Sequence, residues 1–294
     1  MKLSAPLALA LSLPSAAAFT SLCDPTSASN ADYTTTFSDN FSGDTLDESS
    51  WTITEGYEVG QTRDSWGTAA NVEVADGKLI LTSDREASNG YNYTTGAITS
   101  TDKKSWKPPF KACVAALLPG DTNDPSTTHG VWPAIWMMPD SKGSPAGSTC
   151  WPDGGEIDLM EQIDGINTIY STYHFNPNYD ADNNPKPCDG GHEQVGVSSS
   201  KFSDPLANYH EYAVDAQEEE LNFYVDGELI GTVKIGDKGE REGAQMPGLR
   251  DDIAWHLILN TAISEGGEWP QPVDDDTAFP LKHFIDYARV MQPK

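Results

Sequence analysis

Three carboxylates fall within six residues at Glu156, Asp158 and Glu161, on the otherwise apolar frame Glu156-Ile157-Asp158-Leu159-Met160-Glu161. Side chains alternate faces along a strand, so Glu156 and Asp158 share one face while Ile157 and Leu159 take the other. Strict alternation puts Glu161 on the wrong face. A β-bulge inserts one extra residue, and with Leu159 or Met160 in that role Glu161 returns beside Glu156 and Asp158. The two glutamate backbones then stand roughly 13 Å apart at ~3.3 Å per residue. Their long side chains can lean over the shorter Asp158 until the carboxyls are roughly 5–5.5 Å apart, the separation at which a glycosidase uses one as nucleophile and the other as acid/base. Like charges raise one another's pKa, so one member holds a proton near neutral pH, which a leaving glycosidic oxygen needs. A solvated polar strand face and a calcium site are the two other readings of the pattern.

The surrounding elements decide among these. Residues 130–139 are nearly continuous in apolar side chains, as a strand buried on both faces would be. Residues 168–175 read as the antiparallel neighbour of the acidic strand, and residues 176–191, rich in Asn, Pro, Asp and Gly, as a loop and part of a cleft wall. The clearest hairpin spans residues 71–82, turning at Asp76-Gly77. Further strands are expected near 34–41, 93–101, 110–118, 209–215, 221–225, 229–233, 253–263 and 285–290, and no segment shows sustained helical periodicity. The reading is all-β: one domain of short strands in a curved, two-sheet antiparallel jelly roll, whose concave face presents the acidic strand along an open groove.

Residues 1–18 have the charged start, short apolar core and small-residue exit of a secretory signal, with cleavage expected after Ala18. The run is too short to span a membrane. Residues 19–294 are therefore expected to form a single, secreted, extracellular domain. Loss of Lys2 moves the net charge from −27 to −28. Such a surface repels nucleic acid and anionic membranes, so neither is expected as a partner. Cys23, Cys113, Cys150 and Cys188 are an even set without a Cys-x-x-Cys pair, which favours two disulfides over a metal site. Three pairings exist. Cys150 with Cys188 is favoured because the two bracket the acidic strand and the following loop, and Cys23 with Cys113 follows by elimination. Asn40 and Asn92 head glycosylation sequons.

Together, the acidic stretch 155–161, the preceding Trp-Pro-Ala-Ile-Trp, the strand 255–262 and the closing residues 284–290 resemble glycoside hydrolase family 16. These are jelly-roll enzymes that cut β-1,3 and mixed β-1,3/1,4 glucans. The resemblance runs from about Phe37 to the C-terminus. It implies that Glu156 is the nucleophile of a retaining double displacement, that Glu161 is the acid/base, and that Asp158 hydrogen-bonds to Glu156. The spacing from Asp158 to Glu161 matches the bulged, laminarinase-like subgroup, which points to a secreted endo-β-1,3(4)-glucanase with a β-glucan polysaccharide as its partner. By the same resemblance His174 contacts the sugar near the nucleophile, although a hydrogen-bonded core histidine has the same signature. Trp132 stacks on or edges the sugar beside the scissile bond, Trp255 and Trp269 are subsite platforms, and Asn71 hydrogen-bonds a sugar further along. Trp136 fits a subsite or the core equally well. The chain departs from the family's habit at Ala97, where many relatives carry Arg, and at Ala216-Gln217, where they often have Glu-Trp. The chemistry requires no cofactor and no metal, an acidic sandwich of this type can hold a structural calcium, and a monomer is expected. A cell-wall transglycosylase and a non-catalytic glucan-binding module on the same fold are the alternatives. Recognition alone needs no crowded carboxylates.

Overall fold

Apolar residues recur at alternate positions through most of the expected strands, a pattern that two sheets can satisfy by packing face to face. A computed structural model of the chain describes residues 19–58, 60–121, 123–140, 150–178, 188–201, 204–236, 249, 253–267 and 269–294. The expected leader, residues 1–18, lies outside the described residues. In chain order the strands are β1 (Tyr33–Asp39), β2 (Thr52–Ile53), β3 (Trp66–Gly67), β4 (Val72–Ala75), β5 (Lys78–Asp84) and β6 (Thr94–Thr95). Next come β7 (Ala97–Thr99), β8 (Phe110–Leu117), β9 (Val131–Pro139), β10 (Glu156–Glu161), β11 (Ile169–Phe175) and β12 (Glu193–Ser199). The series ends with β13 (His210–Gln217), β14 (Glu220–Val225), β15 (Glu228–Lys234), β16 (Trp255–Ile263) and β17 (Leu281–Pro293).

The smaller sheet runs β12-β11-β10-β9-β16-β7-β2 and places the acidic strand near its middle. The larger runs β15-β14-β13-β8-β17-β5-β6-β3, with β1 added on β17 and β4 on β5. All pairings are antiparallel except the short β3–β6 contact. This is the expected all-β jelly-roll sandwich. Ile135, Met137, Ile157, Tyr173, Leu257 and Leu259 from the smaller sheet meet Val114, Tyr212, Val214, Ile285 and Val290 from the larger in one apolar core. β8 is buried at every position.

Glycine accounts for one departure from expectation. The single strand foreseen over residues 93–101 divides at Gly96 into β6 of the larger sheet and β7 of the smaller. A Cβ on Gly96 would lie 2.3 Å from the Asn71 carbonyl oxygen, so only glycine admits this crossing. The 71–82 hairpin forms as expected, with Asp76 and Gly77 both at positive φ, as a type I′ turn demands. β12 was not foreseen. All four cysteines are paired, Cys150 with Cys188 and Cys23 with Cys113, the connectivity favoured from the sequence. Asn40 and Asn92 are both exposed, and the Asn92 amide donates to Glu265 Oε1 at 2.6 Å.

One buried histidine spans the sandwich. His283 on β17 is inaccessible to solvent, its Nδ1 lies 3.5 Å from Thr261 Oγ1 on β16, and burial pushes its pKa down to about 4. A depressed histidine pKa contributes stability that is fully present above the unfolded value near 6.5 and is lost as pH falls toward 4. Urea unfolding from pH 7 to pH 4 is therefore expected to lose roughly 3 kcal/mol less in His283→Gln than in the parent protein. Parallel pH dependences in the two proteins would refute this account.

Candidate active site

The carboxylates reach one face through a register shift. Asp158 pairs with Thr172 of β11 and Glu161 with Tyr170, so two residues of β10 oppose one on its neighbour. Against β9, Asp158 pairs with Trp136 and Met160 with Ile135, which makes Leu159 the extra residue. Consequently Ile157, Leu159 and Met160 all enter the core, two of them consecutive in sequence. Glu161 returns to the open face with Glu156 and Asp158. The Ser171 hydroxyl donates to the Leu159 carbonyl at 2.7 Å, satisfying the backbone at the bulge. At the strand's start, Gly155 sits at φ 86°, and a Cβ there would come within 3.0 Å of the Trp255 ring.

Each acid has its own partner. Trp151 Nε1 donates to Glu156 Oε2 at 2.7 Å, and Trp132 Nε1 donates to Glu161 Oε1 at 3.0 Å. His174, opposite Glu156 in register, holds Nε2 3.1 Å from Asp158 Oδ2 and 3.8 Å from Glu156 Oε1. Its Nδ1 lies 3.0 Å from His192 Nε2. Burial raises the pKa of all three carboxyls. The Asp158 charge raises Glu156 further, while His174 and the Trp151 indole oppose the shift. Burial and the Glu161 charge hold Asp158 well above the usual range, against a hydrogen bond from Glu156.

Aromatic side chains floor and flank this face. Trp136 is buried on it, with Nε1 donating to Asn260 Oδ1 at 2.7 Å, and Asn260 Nδ2 in turn donates to the Gln61 carbonyl at 2.9 Å. Gly60 abuts the Trp136 ring, where a Cβ would be 2.9 Å from Cη2. The Arg63 guanidinium lies 5.4 Å from the Trp132 ring centroid. Trp269 is 42% exposed and meets Tyr170 edge-on at 4.8 Å, beside the register position of Glu161. Trp151 is 48% exposed, with the His192 ring 4.4 Å away. The Cys150–Cys188 bridge joins the loops carrying Trp151 and His192, and Asp153 accepts from Cys188 N and Asn176 Nδ2, both at 2.8 Å.

Two expectations need correction. Trp255 is no platform: it is buried in the apolar core behind Gly155, because the odd-numbered residues of β16 point to the opposite sheet. Asn71 is also buried, and its amide is taken up by Thr94 Oγ1 of the larger sheet at 3.0 Å rather than left open to a sugar. Glu156, Asp158, Glu161, Trp132, His174 and Trp136 are brought together on one face. Trp151, His192, Arg63 and Tyr170 join them without having been expected. The dipeptide Trp151-Pro152, five residues before Glu156, is the sequence signal that could have revealed Trp151. Glu156, Asp158 and His174 are also the one metal-capable group of His, Cys, Asp and Glu among the described residues. A donor set with an imidazole and two carboxylates does not suit calcium, which takes six to eight oxygens.

The family model described as Glycosyl hydrolases family 16 matches residues 61–249, well over half of the chain. A β-glucanase of Rhodothermus marinus is 32% identical over 227 residues, covering 75% of this chain and 70% of its own length. Glucan endo-1,3-beta-glucosidase A1 of Niallia circulans is 29% identical over 92% of this chain, which spans 39% of that longer protein. The X-ray structure of the laminarinase from Rhodothermus marinus superposes with a TM-score of 0.72 at 28% identity, covering 89% of this chain and 98% of that one.

The indole donors make a prediction that needs no knowledge of substrate. Each hydrogen bond lowers the pKa of its glutamate. Trp132→Phe should therefore raise the Glu161 midpoint, and Trp151→Phe that of Glu156, in carboxyl-carbon NMR titrations. An unchanged or lowered midpoint contradicts the assigned hydrogen bonds.

Proposed function

The chain belongs to glycosyl hydrolase family 16, and on that premise we propose that it is a secreted, retaining endo-β-glucanase that hydrolyses β-1,3 and mixed β-1,3/1,4 glucans. The observation that carries this reading is the bulge that sets Glu156 and Glu161 on one face with Asp158 between them. The names of its relatives, a β-glucanase and a glucan endo-1,3-beta-glucosidase, support the substrate class. The leader-like residues 1–18 and two disulfides support export.

In this mechanism the more deeply buried Asp158 holds a proton, which removes the charge that raises Glu156 and leaves Glu156 the carboxylate. Trp151 Nε1 donates to one Glu156 oxygen, and His174 lies beside the other. Both hold the nucleophile in place and stabilise its charge before attack at the anomeric carbon. Glu161 is kept protonated by burial, and the charges of Glu156 and Glu161 oppose each other's ionisation. With one Glu161 oxygen fixed by Trp132, the other is free to protonate the departing glycosidic oxygen. Esterification of Glu156 then removes the negative charge that held the proton on Glu161. The acid thereby becomes a base that activates water from the side the leaving group vacated, and net configuration is retained. The residues supply nucleophile and acid without a cofactor. Trp269, 42% exposed, offers a ring to the apolar C–H surfaces of the sugars.

With laminarin as substrate, Glu156→Gln and Glu161→Gln should each lower the release of reducing ends by roughly a thousandfold or more. Proton NMR of the first products from the parent enzyme should show the β-anomer before mutarotation. Near-normal turnover in either variant, or an initial α-anomer, would defeat the proposal.

A further inference from the structure

Tyr57 is 49% exposed, yet its ring lies 5.6 Å from that of Tyr91 at an interplanar angle of 15°, a parallel stack open to solvent on its outer face. Trp66 extends the cluster, its ring 5.9 Å from Tyr91. None of these three rings takes part in the mechanism above. Tyr91 and Trp66 are half-buried, so Tyr57 is the ring this cluster leaves open, and an exposed ring held in a stack offers a contact surface.

The backbone beneath the rings is fixed on both sides. Gly56 and Gly67 exchange two hydrogen bonds of 2.9 and 2.8 Å, and a Cβ on Gly67 would lie 2.6 Å from the Thr54 carbonyl oxygen. Tyr91 closes a tight turn with Ser88 through bonds of 3.0 and 2.9 Å, Asn89 and Gly90 both taking positive φ. Trp66 N donates to the Tyr93 carbonyl at 2.9 Å and ties the two segments together. Continuity with the acidic face comes from the chain itself. Tyr57 is three residues before Gly60, which abuts Trp136, and six before Arg63, which covers Trp132. Three residues span no more than about 10 Å, so the Tyr57 backbone lies within that reach of Gly60.

We propose that Tyr57, Tyr91 and Trp66 form a distal binding platform for a β-glucan chain, continuing the substrate groove past the Gly60–Arg63 wall. This rests on the function proposed above. Aromatic faces suit the apolar faces of sugar rings, and a chain carrying a net charge of −27 disfavours acidic polysaccharides, so the occupant is a neutral glucan. The platform acts only on chains long enough to reach it from the cleavage point, and it sets affinity by length rather than the rate of the chemical step.

The test compares Tyr57→Ala/Tyr91→Ala with the parent protein on laminarin and on a short β-1,3-linked oligosaccharide. For laminarin KM should rise about tenfold with kcat unchanged, while both constants for the short substrate stay the same. Tyr57→Phe, which keeps the ring, should retain the parent KM. Equal losses on long and short substrates, or no change on either, overturn the platform and leave the catalytic reading intact. A parent protein that cleaves neither substrate overturns both.

Discussion

Between Asp158 and Glu161 the chain carries one residue more than either neighbouring strand, and that surplus determines which side of the sheet Glu161 occupies. Regular alternation would send Glu161 into the apolar core with Ile157 and Leu159, where an ionised carboxylate has no partner. The bulge instead sends Leu159 and Met160 inward together. The surrounding residues are arranged to tolerate it: Ser171 satisfies the Leu159 carbonyl, and the larger sheet supplies small side chains such as Ala112 and Ala116 to the same core. The apolar side of β10 is thus as much a part of the catalytic geometry as the acidic side.

Crowding three carboxyls on a buried face opposes their ionisation, and the raised pKa values record that opposition. Indole donors from β9 and from the loop before β10, and a histidine from β11, offset it unequally. Glu156 receives Trp151 and His174, whereas Glu161 receives Trp132 and the opposing charge of His174. The balance differs between two chemically identical side chains five residues apart: with burial and the Asp158 charge Glu156 is raised well above its ordinary value, and burial raises Glu161.

Much of the sandwich could be read from alternation alone, because a half-buried strand writes its burial into every second residue. β14 follows that rule, β9 was legible instead as a continuous apolar run, and the carboxylate spacing itself implied the bulge in β10. Where the rule says nothing, the reading stopped. β12 is an edge strand whose only apolar residues are Val195 and Val197 in an otherwise polar run, so it looked like loop. Gly96 divides one apparent strand between two sheets for a reason held by the Asn71 carbonyl, which no local pattern reveals. Tryptophan is equally at home under a sugar and in a core. Trp255 and Trp269 are distinguished only by which face of β16, or which loop, carries them.

His174 and Glu156 meet because β10 and β11 are neighbours in register, so their contact is a local property of the sheet. Trp151 and His192 are different: they arrive on loops separated by some forty residues of chain, which the register of β10, β11 and β12 starts at one end of the sheet but does not fix to each other. The Cys150–Cys188 bridge does so, and Asp153 reinforces it by accepting from the backbone of Cys188 and from Asn176. At the other end of the acidic strand, Gly60 and Gln61 settle on Trp136 and Asn260 by close backbone approach and a single hydrogen bond. One end of the site is therefore cross-linked covalently, next to Glu156, and the other is held by packing. The cross-link lies at the end where an error in placing an indole or an imidazole would change the charge state of Glu156.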